Sequence, residues 1–306
     1  MIHDNSDSID FCLTKIIDKK NFYLEPFPHL IIEDALSKNM YKVLCDNFPK
    51  PPKKLELYDN TILYINDTNI YDNKDEHAYW TQILKYLASP EYFFKLFEIF
   101  KEQLIKKYPK KFKTHELTNK LSIKDSEEKI DSKIAPVSSI MFYSPVKKTG
   151  IPKKLNGNKL EIHCDAANKL FTSILYFRDK NDKSLGGELL LHTWKFKLPF
   201  EIKKIILARG LHFINSIIRN FQFLFIKKEK SVKYKDNCLV IFFGNEDSLH
   251  SVNVREKGSP VRRSIHSGIH YNENLWDSVS FIDKKIIGLK NRYEKLRKYL
   301  NPTKIF

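Results

Sequence analysis

The chain has only four cysteines, Cys12, Cys45, Cys164 and Cys238, with no CxxC pair and no regular spacing. That pattern argues against a disulfide scaffold or a zinc knuckle and points to reduced thiols. The first 19 residues lack a basic stretch followed by an apolar one, so no secretory signal is visible and a cytoplasmic location is expected. Acidic residues are also short in supply: 37 Asp and Glu against 53 Lys and Arg give a formal charge of +16. Such a charge can serve nucleic acid or an anionic membrane surface. Here the lysines are scattered, in doublets such as Lys53-Lys54, Lys110-Lys111 and Lys203-Lys204, in a chain rich in Lys, Ile and Asn together. The charge therefore reads as compositional surface charge, and nucleic acid is not the expected partner.

What is present is enough for a substantial core. The 306 residues are 42% hydrophobic and 13% aromatic, which excludes wholesale disorder. After a loose lead-in over 1–20, Pro26-Phe27-Pro28-His29-Leu30-Ile31-Ile32 predicts a short buried strand. Ser37 predicts the N-cap of a helix reaching Asn47, with Tyr41 and Leu44 inward. Residues 55–75 read as loop or short strands. Helical spacing then runs from His77 to Lys107, restarted at Ser89-Pro90, with Phe93, Phe94, Leu96, Phe97, Phe100 and Leu104 on one stripe. Residues 108–134 are charged and loop-like. From Val137 the period shifts to two, predicting strands at 137–143, 160–165, 172–177, 188–192, 238–243, 250–254 and 262–271. The tail from 277 to 300 predicts an amphipathic helix with Ile282, Ile286, Leu289, Tyr293 and Leu296 inward.

The expected fold class is thus mainly β with flanking helices, a sandwich or jelly roll. The expected organisation is a mixed N-terminal region at 1–136, a β core at 137–276 with an insertion at 195–232, and a C-terminal helix at 277–306. In the insertion, apolar residues recur at helical spacing but Lys203, Lys204, Arg209, Arg219, Lys227, Lys228 and Lys230 interrupt them, which excludes a membrane span. Two readings stay open: a helical lid over the mouth of the core, or a basic amphipathic segment over 202–230 making peripheral membrane contact.

The chemistry is concentrated in 160–271. In Leu160-Glu161-Ile162-His163-Cys164-Asp165, strand alternation puts His163 and Asp165 on one face. With the distant His250, following Leu239-Val240-Ile241-Phe242-Phe243, they make a 2-His-1-carboxylate set suited to Fe(II) oxygen chemistry.

These residues sit in an order that resembles the 2-oxoglutarate- and Fe(II)-dependent dioxygenases, in particular the prolyl-4-hydroxylase-like branch. Gly157-x-x-Leu160-x-x-His163-x-Asp165 is similar to the approach to the first two ligands. Phe171-Thr172-Ser173-Ile174-Leu175-Tyr176-Phe177 resembles the next strand, and Gly186-Gly187-Glu188-Leu189 the GGEL strand. His250-Ser251-Val252 resembles the strand start bearing the distal His, and Arg262-Arg263-Ser264-Ile265 the strand bearing the basic anchor. The resemblance implies a double-stranded β-helix (jelly-roll, cupin-like) core. It implies Fe(II) at His163, Asp165 and His250, with 2-oxoglutarate and O2 as cosubstrates and ascorbate as a candidate accessory reductant. It also implies hydroxylation of a C–H bond with release of succinate and CO2.

A fixed guanidinium suits the remote carboxylate of 2-oxoglutarate. Strand register prefers Arg262 over Arg263, a choice that stays open at this stage. Tyr143 and Tyr176 are candidate hydroxyl donors to the same carboxylate, with Ser264 and Thr172 behind them. His192, His212, His266 and His270 are candidates to meet substrate or to support the ligands; His266 is expected to face inward with Arg262, and most of them are better read as ordinary strand or loop residues. The substrate is unidentified: a small molecule, a sugar-lipid intermediate or a protein side chain. Two rivals remain: a basic nucleic-acid- or membrane-surface-binding protein on the same fold without catalysis, and a cupin-like metal enzyme that does not use 2-oxoglutarate.

Overall fold

The period-two segments become two antiparallel sheets in the computed structural model, which describes residues 21–49, 60–64, 76–112, 134–143, 158–207, 221–253, 255, 260–271, 273–277 and 292. In chain order the strands are β1 (Phe22–Tyr23), β2 (His29–Ile32), β3 (Asn60–Tyr64), β4 (Ile134–Tyr143), β5 (Asn158–His163) and β6 (Lys169–Tyr176). They continue with β7 (Leu189–Trp194), β8 (Ile226–Val232), β9 (Leu239–Phe243), β10 (His250–Asn253) and β11 (Arg262–Tyr271). The helices are α1 (Lys38–Asp46), α2 (Glu76–Leu87), α3 (Pro90–Lys107), α4 (Pro109–Phe112), α5 (Phe200–Leu207) and α6 (Gln222–Phe225). A seven-stranded sheet runs β1-β2-β9-β6-β11-β4-β3, and a four-stranded sheet runs β5-β10-β7-β8.

The two sheets face each other across an apolar layer. Ile174, Tyr176, Val240 and Phe242 from the large sheet pack with Leu189, Leu191, Val232 and Val252 from the small one. The opposite face of the large sheet is covered by helices. Phe171, Leu175, Ile241, Phe243, Ile265 and Ile269 belong to the same buried cluster as Leu44, Ile83, Phe93 and Phe100. Alternation along β6, β9 and β11 explains both faces, since successive side chains point to opposite sides.

The helices start where local chemistry dictates. The Ser37 hydroxyl accepts from the Met40 amide and caps α1, and the Ser89 hydroxyl accepts from the Tyr92 amide ahead of Pro90 in α3. Helix α3 buries Tyr92, Phe93, Leu96, Phe97, Phe100 and Leu104. The Phe100 ring lies 5.6 Å from that of Phe171 and 6.1 Å from that of Phe243. The Tyr92 hydroxyl donates to Ser173 Oγ at 2.6 Å, tying α3 to β6.

Several boundaries differ from expectation. Strands β1, β2 and β3 all precede residue 136 yet complete the large sheet, so the N-terminal region is woven into the core. The insertion at 195–232 is not purely helical: after α5 and α6, β8 joins the edge of the small sheet by pairing with β7. Periodicity missed this because Ile226 and Val232 alone mark the inward face of a lysine-rich strand. The lead-in over 1–20, the stretch 113–133 and, apart from Asp277 and Arg292, the tail helix lie outside the described residues.

Removing the Phe100 ring should cost about 3–5 kcal/mol, because the aromatic layer between α3 and the sheet cannot collapse around the void. Urea denaturation of Phe100→Ala checks this. His29, fully buried in β2 with its Nδ1 2.7 Å from the Phe27 carbonyl, has its pKa lowered to about 4, chiefly by burial. The unfolded chain binds this proton near pH 6.5 and the folded chain does not, so stability is complete above about 6.5 and falls as pH drops towards 4. The loss from this one group is on the order of 3 kcal/mol. Urea midpoints at pH 7 and pH 4.5 should separate less in His29→Gln than in the parent.

Candidate metal centre

The site begins with a strand pair. His163 ends β5, His250 begins β10, and the two are direct cross-strand partners in an antiparallel ladder. Opposed residues in such a ladder project on the same face, and here the ring centroids are 4.4 Å apart. Asp165 lies two residues past the end of β5, not within it as strand alternation had it. The chain turns there, with the Lys169 amide donating to the Ala166 carbonyl, and brings the carboxylate back. Donor atoms of His163, Asp165 and His250 all lie within 4.8 Å of one another. His250 is buried; His163 and Asp165 are half-buried.

Each donor is held. The Thr172 hydroxyl donates to Asp165 Oδ2 at 2.5 Å, and Lys169 Nζ lies 3.5 Å from the same oxygen. This leaves Oδ1 towards His250 Nε2, 4.0 Å away. Burial alone would raise the Asp165 pKa, but Lys169, His250, the Thr172 hydroxyl and His163 together outweigh it and hold the carboxyl well below its ordinary range. His250 Nδ1 is 3.0 Å from the Ser248 carbonyl, a contact that needs the proton on Nδ1 and so leaves the Nε2 lone pair for a ligand role. Ser248 is itself fixed in a turn with Asn245. That turn is tied to both layers: Lys107 of α3 reaches Glu246 at 2.7 Å, and Lys203 of α5 reaches Asp247 at 2.6 Å.

A second polar cluster lies on the inner face of the large sheet. Arg262 is 3% exposed, with its guanidinium 4.7 Å from the Tyr176 ring centroid and 5.3 Å from that of Tyr234. Among the described residues, Arg262 Nε and Nη2 and Ser264 Oγ have no hydrogen-bond partner, and the Tyr176 hydroxyl faces only the Arg262 guanidinium. Buried donors without partners are costly, and a buried guanidinium more so, which makes this an anion-seeking pocket. Burial pushes the Tyr176 hydroxyl up to about 12 against the pull of Arg262. His266, on the same face of β11, has its Nε2 unpartnered. Burial, then the charges of Arg262 and Lys169, hold its pKa low. In the β6–β11 ladder it lies between Ser264, opposite Tyr176, and Gly268, opposite Thr172, and so between the two clusters.

The neighbouring Arg263 points the other way. Its Nε donates to the Phe177 carbonyl at 3.0 Å and it pairs with Asp179 at 3.3 Å. The Tyr143 backbone is directly opposite Arg262 in the β4–β11 ladder, while its side chain is outside the described residues. Thr172 is engaged by Asp165 and is not in the Arg262 cluster. His192 bonds Ser251 on the far side of the small sheet, and His212 lies outside the described residues.

Lys169 and Tyr234 were not singled out from the sequence. A Cβ at Gly268 would lie 2.9 Å from Lys169 Cε, so the bare glycine lets the lysine cross β11 to reach Asp165. The only local hint was the four-residue separation of Asp165 and Lys169. Tyr234 gathers the guanidinium groups of Arg178, Arg255 and Arg262 within 5.6 Å of its ring, an arrangement made wholly by tertiary packing.

No protein-family model matches the sequence, and no curated protein does. Solved structures similar to the chain include a prolyl-4-hydroxylase from Pseudomonas putida, at 13% identity and TM-score 0.36, covering 80% of this chain and 93% of that one. An oxidoreductase of the 2OG-Fe(II) oxygenase family from Burkholderia pseudomallei matches at 8% identity and TM-score 0.38, covering 82% and 88%. The Arabidopsis thaliana dioxygenase for auxin oxidation, in its 2-oxoglutarate complex, matches at 13% identity and TM-score 0.37, covering 81% and 85%. At such scores these likenesses carry no weight in assigning chemistry, which rests on the geometry of the site.

If Thr172 orients Asp165 for a metal, Thr172→Val should weaken divalent-metal binding by roughly 10–100-fold. Anaerobic Co(II) titration followed by visible absorption checks this, with an unchanged far-UV circular dichroism spectrum as the control.

Proposed function

We propose that the protein is a 2-oxoglutarate- and Fe(II)-dependent dioxygenase built on a double-stranded β-helix core, hydroxylating a C–H bond of its substrate. One observation carries the reading: a 2-His-1-carboxylate donor set and a buried cationic cluster with orphaned donors lie along one inner face of the sheet, with His266 in register between them. The donor set suits Fe(II), since two neutral imidazoles and one carboxylate leave open positions on an octahedral ion. With 2-oxoglutarate and O2, iron bound there supplies oxidative decarboxylation to succinate and CO2 coupled to hydroxylation.

The chain's own residues have separable parts in this reading. His163, Asp165 and His250 hold the metal. Thr172 and Lys169 engage one oxygen of Asp165 and leave the other for coordination, and the Ser248 carbonyl fixes the tautomer of His250. Arg262 receives the remote carboxylate of 2-oxoglutarate, with Tyr176 and Ser264 as hydroxyl donors and Tyr143 on the strand opposite. Phe242, whose ring is 5.0 Å from that of His250, and Val240 give the site an apolar wall that limits water. The described parts of 195–232, α5, α6 and β8, pack on the small sheet beside Ile162, and the segment is the proposed determinant of substrate choice.

Anaerobic addition of Fe(II) and 2-oxoglutarate should produce a visible charge-transfer band that is lost in His163→Ala. Arg262→Ala should weaken 2-oxoglutarate by roughly 100-fold, the worth of a charge-assisted bidentate contact, with iron affinity little changed. Arg263→Ala should leave both intact. A band indifferent to Arg262→Ala would favour a metal enzyme that does not use 2-oxoglutarate.

A further inference from the structure

Five of the eight large apolar side chains that stand exposed among the described residues fall in one short region: Phe196, Ile202, Phe221, Phe223 and Leu224, between 42% and 59% exposed. Tertiary bonds bring them together. Trp194 pairs with Ile226 at the end of the β7–β8 hairpin, the Lys195 amide donates to the Phe225 carbonyl at 2.8 Å, and Gln222 Nε2 donates to the Ile206 carbonyl at 3.0 Å. The region is already anchored from below. Ile206 and Ile226, with Leu198, Leu207 and Phe225 against them, pack on Ile162 and Leu249. The outward residues are therefore a second apolar set, left over after the inner one has found its core. Grouped exposure of this kind marks an interaction surface.

Charge identifies the occupant. Between Glu201 and Glu229 there is no acidic residue, while Lys203, Lys204, Arg209, Arg219, Lys227 and Lys228 are basic. Lys203 is matched by Asp247, the buried Lys204 by Glu201 and Asp277, and Lys227 by Glu229. Lys195, Lys197, Lys227 and Lys228 are exposed around the apolar group. Lysines on the edge strand β8 could by themselves be guarding that edge against pairing. Edge protection does not account for the phenylalanines beside them. No described helix is long and apolar enough to cross a membrane, so the combination fits the interface rather than the interior of a bilayer.

We propose that the face formed by Phe196, Ile202, Phe221, Phe223 and Leu224, with its lysine rim, docks on an anionic lipid bilayer. The apolar side chains enter the headgroup boundary and the lysines meet negative headgroups. Ile162 and Cys164, either side of His163, border the same apolar cluster that supports this face. Docking would thus set the bilayer beside the candidate metal centre. The proposal does not depend on which reaction occurs there.

Co-sedimentation of the full chain with phosphatidylcholine vesicles, with and without 30 mol% (about) phosphatidylserine, tests the idea. Expected is binding to the anionic vesicles that falls at least tenfold (roughly) at high salt, and by a similar factor in Lys227→Glu/Lys228→Glu. Phe221→Ser/Phe223→Ser/Leu224→Ser should reduce it comparably at low salt. Should that variant misfold by circular dichroism, the lysine variant decides, because both of its positions are exposed. Absence of sedimentation at low salt overturns the proposal, as does equal binding by parent and lysine variant. It is also overturned if sedimentation velocity shows parent dimers that the apolar variant dissociates while vesicles remain unbound, which would make the face a contact between copies of this chain.

Discussion

The pairing of β5 with β10 is the constraint on which the site depends. It sets His163 directly opposite His250, and only then does the turn after β5 have a place to return Asp165. A slip of one residue would send an imidazole to the opposite face, where Ile162 and Leu249 now pack beneath α5. The turn before β10 is held from two sides, by Lys107 of α3 and Lys203 of α5. Each such half-exposed ion pair contributes little energy, on the order of 1 kcal/mol or less. Together they orient the segment that delivers His250.

Strand β11 shows how one element serves stability and chemistry at once. Ile265, Ile269 and Tyr271 belong to the cluster beneath the helices, and Ser267 donates to the Leu87 carbonyl of α2. Arg262, Ser264, His266 and Gly268 alternate with them and face the interior. The inner face keeps two guanidinium nitrogens of Arg262, the Ser264 hydroxyl and an imidazole nitrogen of His266 without partners among the described residues. That arrangement opposes folding, and the aromatic layer of Phe93, Phe100, Phe171 and Phe243 on the other side offsets it. Unsatisfied polar groups gathered at one place on a well-packed sheet are what a site awaiting an anion would require.

The small sheet divides its faces in another way. Its inner residues meet the large sheet, and its outer residues carry α5 and α6. Because α5 and α6 sit on the back of Ile162, whatever contacts them lies one strand away from His163. The polar inner pocket and the apolar outer face are thus neighbours through the thickness of a single sheet.

Local signals were legible in the sequence where short-range physics decides. Ser37 and Ser89-Pro90 start helices because a cap needs only the next three residues, and the β6 and β9 runs are strands because β-branched and aromatic residues alternate there. The His163-x-Asp165 pair was visible as chemistry, but the reason for their meeting was not: a turn, not strand alternation, returns Asp165. The same limit hid β8, whose lysine-rich sequence looks like part of a helical insertion until β7 offers it an edge. Lys169 and Tyr234 likewise needed a partner strand before they could be read, whereas alternation along one strand was enough to prefer Arg262 over Arg263. Sequence by itself determined the inventory of donors and the two periods. Only the tertiary structure decided which donors meet, because sheet register and turn closure depend on contacts between residues far apart in the chain.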